Sequence, residues 1–291
     1  MELRVLQYFL AVAREQNISA AAQSLHLSQP TLSRQLKDLE DELNKRLFIR
    51  GNRKITLTEE GMLLRRRAEE IIGLVHKTEN EITSSGDVIA GDIYIGAGET
   101  DAIRIVARAA QSLQAEYPGI HYHISSGDAA DVIERLDQGL IDFGVLLDPA
   151  DLSKYDSLRL PVRDVWGVLM RKGSPLSERA SIRPEDLWDK PIIISRQAMK
   201  GNVLPQWLQQ DESRLNIVAT YSLLYNGSLM VDEGLGYALC IDRIINTTGS
   251  SALCFKPLSP KLEIGVNIAW KKFRMFSQAG TKFLEKLREM F

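Results

Sequence analysis

Three features of this sequence predict a multi-domain α+β protein with an N-terminal winged helix-turn-helix, a long linker helix and a C-terminal α/β domain. The segment SAAAQSLHLSQPTLSRQLKDLE, Ser19 to Glu40, reads as two short helices joined by a tight turn. NKRLFIRGNRKITLT, which follows Leu43, is basic throughout and carries a Gly51-Asn52 turn signal between two β-favouring pieces. From Gly91 onward, short apolar strands alternate with helical stretches, the texture of mainly parallel sheets.

In the first helix of the pair, Ala20, Ala21 and Ala22 are small enough for another helix to approach, and Leu25 closes that face. His26-Leu27-Ser28 then breaks the pattern. Ser28 suits an N-cap because its hydroxyl can accept from an unpaired amide of the next turn. Pro30 sits in that first turn, where a missing N–H costs nothing. Leu27 and Leu32 have the spacing of a hydrophobic staple. Leu32, Leu36, Leu39 and Leu43 predict one buried stripe, with Gln29, Ser33, Arg34 and Lys37 on the opposite side.

That outward chemistry suits a DNA major groove. Gln pairs with the edge of adenine and Arg with guanine, whereas Ser and Lys suit phosphate oxygens. The N-terminal end of the second helix is the part that meets bases in such motifs. Gln29, Pro30 and Arg34 are therefore expected at base edges, and Ser33, Lys37, Arg50 and Arg53 at the backbone or minor groove. Ser19 and Thr31 complete the expected DNA-facing set. The basic residues, with Lys45, Arg46 and Lys54 among them, ride on a hairpin, or wing, that has no acid before Glu59. An ordinary helical bundle with solvated charges is the competing reading. Cap, staple, outward Gln and Arg, and basic hairpin in this order oppose it.

With these residues in view, the chain resembles the LysR-type transcriptional regulators. The likeness runs through Phe9, Ser19, Ala21-Ala22, Leu25, Ser28-Gln29, Ser33, Leu39-Glu40, Leu47-Phe48, Arg50, Leu57-Thr58 and Gly61. The resemblance implies a winged helix-turn-helix at 1–58, a linker and dimerisation helix at 59–86, and an effector-binding domain at 87–291. That last domain is expected to be two-lobed, of the type II periplasmic-binding-protein kind, with lobe I about 91–161 and 266–291 and lobe II about 162–265. The implied function is a sequence-specific DNA-binding regulator that responds to a small-molecule effector in the interlobe cleft. The implied partners are double-stranded DNA bearing an interrupted palindrome, a second copy in a homodimer (and a homotetramer as a dimer of dimers), and RNA polymerase. No cofactor is implied beyond the effector. The implied setting is a bacterial cytoplasm, at the nucleoid when bound to DNA.

After Thr58, a suitable N-cap, Leu64, Ala68, Ile71, Val75, Thr78 and Ile82 alternate by four and three on a helix ending near Ser84-Ser85-Gly86. This is an a/d seam of under three heptads, open to a second subunit or to the helix's own domain; the resemblance favours the subunit. Arg65-Arg66-Arg67 either approach DNA or form a solvated basic face.

In the last domain GDIYIGAG, GIHYHIS, IDFGVLL, DVWGVLM, PIIIS and GYALCI read as strands. Ile103 to Tyr117, Ala129 to Gly139, Asn202 to Gln209 and Ser228 to Glu233 read as helices. The resemblance puts chain crossovers near Pro161-Val162 and Ile264-Val266, with GVNIAWKKFRMF returning to complete lobe I together with the helix ending at Phe291. LMVDEGLGYAL resembles the family's Val-x-x-Gly-x-Gly segment, although its usual following Pro is replaced near Ile241. A cleft at strand ends and helix N-termini would be lined by Glu99-Thr100, Ser126 to Ala129 with Asp128, Asn202, and Asn226-Gly227. Thr100 and Asp128 are equally suited to capping helices, and Asn202 and Asn226 to turns. If Glu99 and Asp128 both face the cleft ionised, they repel the anionic effectors many family members use and favour a neutral or cationic one.

Bulk properties agree. A chain of 291 residues accommodates about two domains, and 44% hydrophobic with 25% charged residues is ordinary for a globular protein. The net charge of −2 means that the positive charge of the wing is local. MELRVLQYFLAVAREQ lacks the pattern of a signal peptide, which opposes an exported solute-binding protein. Cys240 and Cys254 alone do not make a disulfide framework; the first reads as a core thiol, the second as more exposed. His121 and His123 share a strand face without further ligands at metal spacing. Gly96-Ala97-Gly98 lacks the third glycine of a dinucleotide site, and no catalytic constellation is visible, so no enzyme is expected.

Overall fold

Apolar residues at helical spacing produce the first element, α1 (Leu3–Glu15), which buries Val5, Leu6, Phe9 and Val12 and ends at Gln16 in the left-handed conformation. The computed structural model describes residues 1–51, 54–83, 89–201 and 203–291. Asn17 caps α2 (Ile18–Ser24): its side-chain oxygen accepts from the amides of Ser19 at 2.8 Å and Ala20 at 3.1 Å. Ala21 and Ala22 are buried, but Ala20 faces out. Three consecutive helical positions span an arc of about 200°, wider than one contact face.

His26, at φ 54°, makes the turn. Ser28 then caps α3 (Gln29–Leu43), accepting from the Thr31 amide at 3.3 Å. Leu32, Leu36 and Leu39 are 0–2% exposed, whereas Leu43 is 38% exposed. The expected stripe therefore stops one turn early, because the chain leaves the helix through left-handed Asn44 directly after Leu43.

The wing consists of β1 (Phe48–Arg50) and β2 (Ile55–Leu57), antiparallel with Phe48 opposite Leu57. It docks through α3: Glu40 Oε1 accepts from the amides of Leu47 at 2.6 Å and Phe48 at 3.2 Å. The Phe48 ring packs on Phe9 at 5.2 Å between centroids. Thr58 caps α4 (Glu59–Thr83), accepting from Gly61 N at 2.9 Å while donating to Arg46 O at 2.7 Å. A Cβ at Gly61 would lie 2.1 Å from Leu47 O, so the helix approaches the wing as closely as only glycine permits. Ala68 is fully buried in the core of this unit, with Leu64, Ile71 and Ile72 packed against it. The first half of the expected seam is thus used within the unit. Met62, Leu63, Leu74 and Ile82 are the large apolar side chains that α4 exposes. Its expected end at Ser84-Ser85-Gly86 lies outside the described residues.

The chain divides into two compact units, Met1–Ser85 and Gly86–Phe291. The second is built on β3 (Gly91–Ala97), α5 (Ile103–Glu116), β4 (Ile120–Ser126), α6 (Ala129–Asp137), β5 (Phe143–Leu147) and β6 (Tyr155–Arg171). It continues with β7 (Ile192–Ser195), α7 (Arg196–Lys200), α8 (Val203–Leu208), β8 (Ile217–Tyr221), α9 (Leu224–Asp232) and β9 (Tyr237–Ile241). β10 (Leu253–Pro257), β11 (Glu263–Lys271) and α10 (Gln278–Glu289) complete it. The strand order is β4-β3-β5-β11-β6-β9-β7-β8, with β10 paired to β6. β3 runs parallel to β4 and β5, and β7 parallel to β8 and β9; β6 and β11 cross antiparallel between the two groups. Each group has its own core, around Ile95, Phe143 and Phe283 on one side and Met170, Ile194 and Leu239 on the other. These are the two lobes.

Pro161, expected at a crossover, lies inside β6. The pairing with β11 jumps from Arg159–Asn267 to Arg163–Gly265, so the residue without an N–H falls in the irregularity between two paired runs. α9 begins at Leu224, four residues before the expected Ser228. Gly227, expected with Asn226 at the cleft, is a helical position where a Cβ would come within 3.2 Å of the Tyr221 ring. α7, β8 and β10, each five residues long, fall in stretches to which the sequence pattern assigns no element.

Candidate functional site

On the first unit, the capped N-terminus of α3 presents Gln29, Pro30, Thr31, Arg34 and Lys37 to solvent, with Ser33 half-buried between them and Ser19 exposed at the start of α2. The Arg34 side chain is 83% exposed, with Asp38 only at the 4.0 Å edge of ion-pair range, one turn along the helix. Its guanidinium is thus free to swing toward a ligand, because an exposed pair of this kind holds it with well under about 1 kcal/mol. Lys45 is tied to Glu60 at 3.2 Å. Arg50 ends β1, and Arg53 lies outside the described residues. Arg65, Arg66 and Arg67 form ion pairs with Glu69 and Glu70 on α4 itself. The structure thus brings Gln29, Pro30, Thr31, Ser33, Arg34 and Lys37 together on a little over two turns of helix.

On the second unit, a cavity of about 370 Å³ opens between the lobes at the carboxyl ends of the parallel strands. Glu99 and Asp128 line it from lobe I, and Ser195, Gln197, Tyr221 and Ser222 from lobe II. Leu147, Trp166, Leu204, Ile241 and Ile264 give it an apolar wall. Two hydrogen bonds cross it reciprocally. Glu99 Oε2 accepts from the Leu224 amide that begins α9, and Gln197 Oε1 accepts from the Ala129 amide that begins α6, at 3.1 Å. Each lobe's helix N-terminus is thereby satisfied by the other lobe's side chain.

Arg159 and Arg163 also line the cavity; Arg159 is 3.0 Å from Asp148 and Arg163 3.7 Å from Glu263. Asp128 caps α6, its Oδ1 accepting from Ala130 N at 3.0 Å and Asp131 N at 3.1 Å. Tyr221 donates to Leu239 O at 2.7 Å, and burial drives its hydroxyl pKa well above the ordinary range.

Other expected cleft residues lie elsewhere. Thr100 is buried, donating to Asp164 Oδ2 at 2.5 Å, so it ties the start of α5 to the crossover strand instead of facing the cavity. Ser126 and Asn226 are exposed and do not line it; the earlier start of α9 puts Leu223 and Leu224 there in place of Asn226. Asn202 lies outside the described residues. Asp164 is fully buried, and loss of hydration pushes its pKa up. Arg243 spans the crossover beside it, 3.3 Å from Asp101, 3.0 Å from Asp242 and 3.5 Å from Asp164. Sequence reasoning missed this cluster and Gln197, because Arg243 reaches Asp101 and Asp164, and Gln197 reaches Ala129, across more than 60 residues of chain.

His123 bonds Asp92 at 2.8 Å and stacks on Tyr94, and among the described residues no group of three or more His, Cys, Asp or Glu could hold a metal. Burial pushes the Cys240 thiol up to about 12. Cys240 and Cys254 pair with opposite edges of β6, at Gly167 and Met170, so two strand spacings and three residues along the strand put them about 14 Å apart, beyond disulfide reach. Among the described residues, no helix is long and apolar enough to cross a membrane.

Comparison with known proteins bears on both sites. The family model for the bacterial regulatory helix-turn-helix protein, lysR family, matches residues 3–62, and that for the LysR substrate binding domain matches 86–291. The chain is similar to the HTH-type transcriptional regulator BsdA of Bacillus subtilis (strain 168), at 32% identity over 75% of this chain and 74% of that protein. It is also similar to the HTH-type transcriptional regulator IlvY of Escherichia coli (strain K12), at 28% identity over 85% of this chain and 84% of that one. Among solved structures, CbnR in complex with its target DNA has the same fold, with a TM-score of 0.74 over 100% of both chains at 16% identity.

Proposed function

This chain belongs to the LysR family of bacterial helix-turn-helix regulators, a DNA-binding transcriptional regulator with an effector-binding domain and not an enzyme, and on that premise we propose how its sites work. Gln29, Pro30 and Arg34 contact base edges in the major groove. Ser19, Thr31, Ser33, Lys37, Arg50 and Arg53 contact the sugar-phosphate backbone or minor groove. The observation that carries this reading is the division of α3 into a buried Leu32-Leu36-Leu39 face and an exposed Gln29-Arg34-Lys37 face.

A small-molecule effector occupies the cavity between Glu99, Asp128 and Gln197, and its differential affinity for lobe arrangements biases the placement of subunits on DNA. Two copies associate through α4, whose exposed Leu63 and Leu74 are available to a partner helix, and two dimers make a tetramer. The chain works in the cytoplasm, contacting RNA polymerase at the promoters it occupies. The test is to sequence the genomic fragments that the full-length protein retains at moderate salt. An interrupted palindrome is expected, one half-site per α3; recovery of random sequence only would overturn the reading.

A further inference from the structure

We propose that the effector of this cleft is an organic cation, an ammonium group carried on a compact apolar body; this rests on the reading that the interlobe cavity is the effector site. The strand register is the starting point. β3 and β4 are parallel neighbours with Ala97 opposite Ser126, and Gly127 N donates to Ala97 O at 3.1 Å. Glu99 and Asp128 each follow that matched pair by two residues, so their carboxylates issue from adjacent strand ends about 5 Å apart in backbone spacing and line one cavity wall.

Among the described residues neither carboxylate meets a side-chain cation. Glu99 Oε2 takes the first amide of α9, and Asp128 Oδ1 takes two amides of α6, which leaves one oxygen of each for a ligand. The guanidinium groups in the lining each have a carboxylate within ion-pair range, Arg159 beside Asp148 and Arg163 beside Glu263, so they add no net positive charge to the wall. Of the four lining carboxylates, Asp148 faces Arg159 and Glu263 faces both Arg163 and Lys261, so Glu99 and Asp128 are the two without a side-chain cation among the described residues. Arg196, at the start of α7, is turned to the Ser222 hydroxyl and does not line the cavity.

An anionic ligand would therefore meet two uncompensated carboxylates. The helix N-terminus that would ordinarily seat it is already filled by Glu99. An ammonium group instead completes the pair without displacing either helix contact. The rest of the wall (Leu147, Trp166, Leu204, Ile264) asks for apolar bulk, and about 370 Å³ limits the body to a small ring or short chain.

The test uses the full-length protein and two matched sets of probes at constant ionic strength and pH 7: benzylamine, benzyl alcohol and benzoate, then hexylamine, hexanol and hexanoate. Binding is read by calorimetry and by the shift in Tm. Within at least one set the amine should bind at least tenfold more tightly than its alcohol or carboxylate. Glu99→Gln and Asp128→Asn, each retaining an oxygen for the helix amides, should shrink that preference several-fold while circular-dichroism melts confirm folding. A carboxylate that matches its amine in both sets overturns the charge assignment and leaves the cleft reading standing. So does an amine preference untouched by both substitutions, or binding of none of the six probes. Binding that persists unchanged in Ala198→Trp, which fills the cavity from α7, overturns the cleft reading as well.

Discussion

In the first unit the proposed base-edge residues Gln29, Pro30 and Arg34 leave a single helix within two turns; in the second the residues lining the cavity come from strand ends and loops scattered from Gly98 to Gly265. The first presents exposed cations above a leucine face, and the second a carboxylate-rich wall above an apolar one. The contrast follows from what each must bind. A polyanionic duplex is met by one convex element, because its groove is open. A small molecule has to be surrounded, which only elements distant in sequence can do. Geometry in the first unit is therefore set by local packing, and in the second by sheet register.

The comparison is broken most strongly by removing the local packing. Leu36→Ala takes a fully buried side chain from the first unit and should cost about 2–5 kcal/mol of that unit's stability, leaving the second unit's transition in place. Denaturant unfolding followed by hydrogen exchange in each unit resolves the two. An equal loss in both would mean that the units do not fold as separate cores.

Glu40→Ala is the next largest. It strips the amides of Leu47 and Phe48 of their acceptor and should cost about 1–3 kcal/mol, since both donors sit in the partly buried joint between α3 and the wing. A stability within a few tenths of a kcal/mol of wild type would show that the wing is not held through this joint.

The smallest effect probes the crossover of the second unit. Burial raises the Asp164 pKa above its ordinary 3.8, so the folded state binds the proton more tightly than the unfolded one. The associated stabilisation is complete below pH 3.8 and is lost as pH rises through the folded-state value. Asp164→Asn should flatten that part of the stability–pH profile. An unchanged slope between pH 3.8 and neutrality would remove Asp164 from the account.

How much was legible in the sequence follows the same division. Ser28, Pro30 and the leucine spacing place α3, and Phe9, Glu40, Leu47-Phe48, Thr58 and Gly61 carry the family resemblance because each fixes the wing against the helices: ring on ring, carboxylate on amides, cap, and close approach. Those relations lie within fifty residues of chain. In the second unit, Glu99 and Asp128 were placed by their position after strands. Gln197, the Arg243 cluster and the start of α9 depend on partners that no periodicity announces. Asn226 was placed at the cleft by position alone, and α9 starts early enough that Leu223 and Leu224 line the cavity in its place. Pro161-Val162 and Ile264-Val266 were placed at the lobe crossovers, and there the pairing of β6 with β11 slips between two paired runs, although β6 itself continues as one strand.

The central claim is that α3 reads sequence through its outward face, and the ratio of specific to random DNA affinity in Arg34→Ala tests it most directly. The account predicts a loss of about 1–3 kcal/mol on the retained palindrome, relaxed base preference at one position in each half-site, and a much smaller loss on random duplex. Equal losses on both would contradict it, leaving Arg34 a phosphate contact and the reading of bases to another part of the molecule.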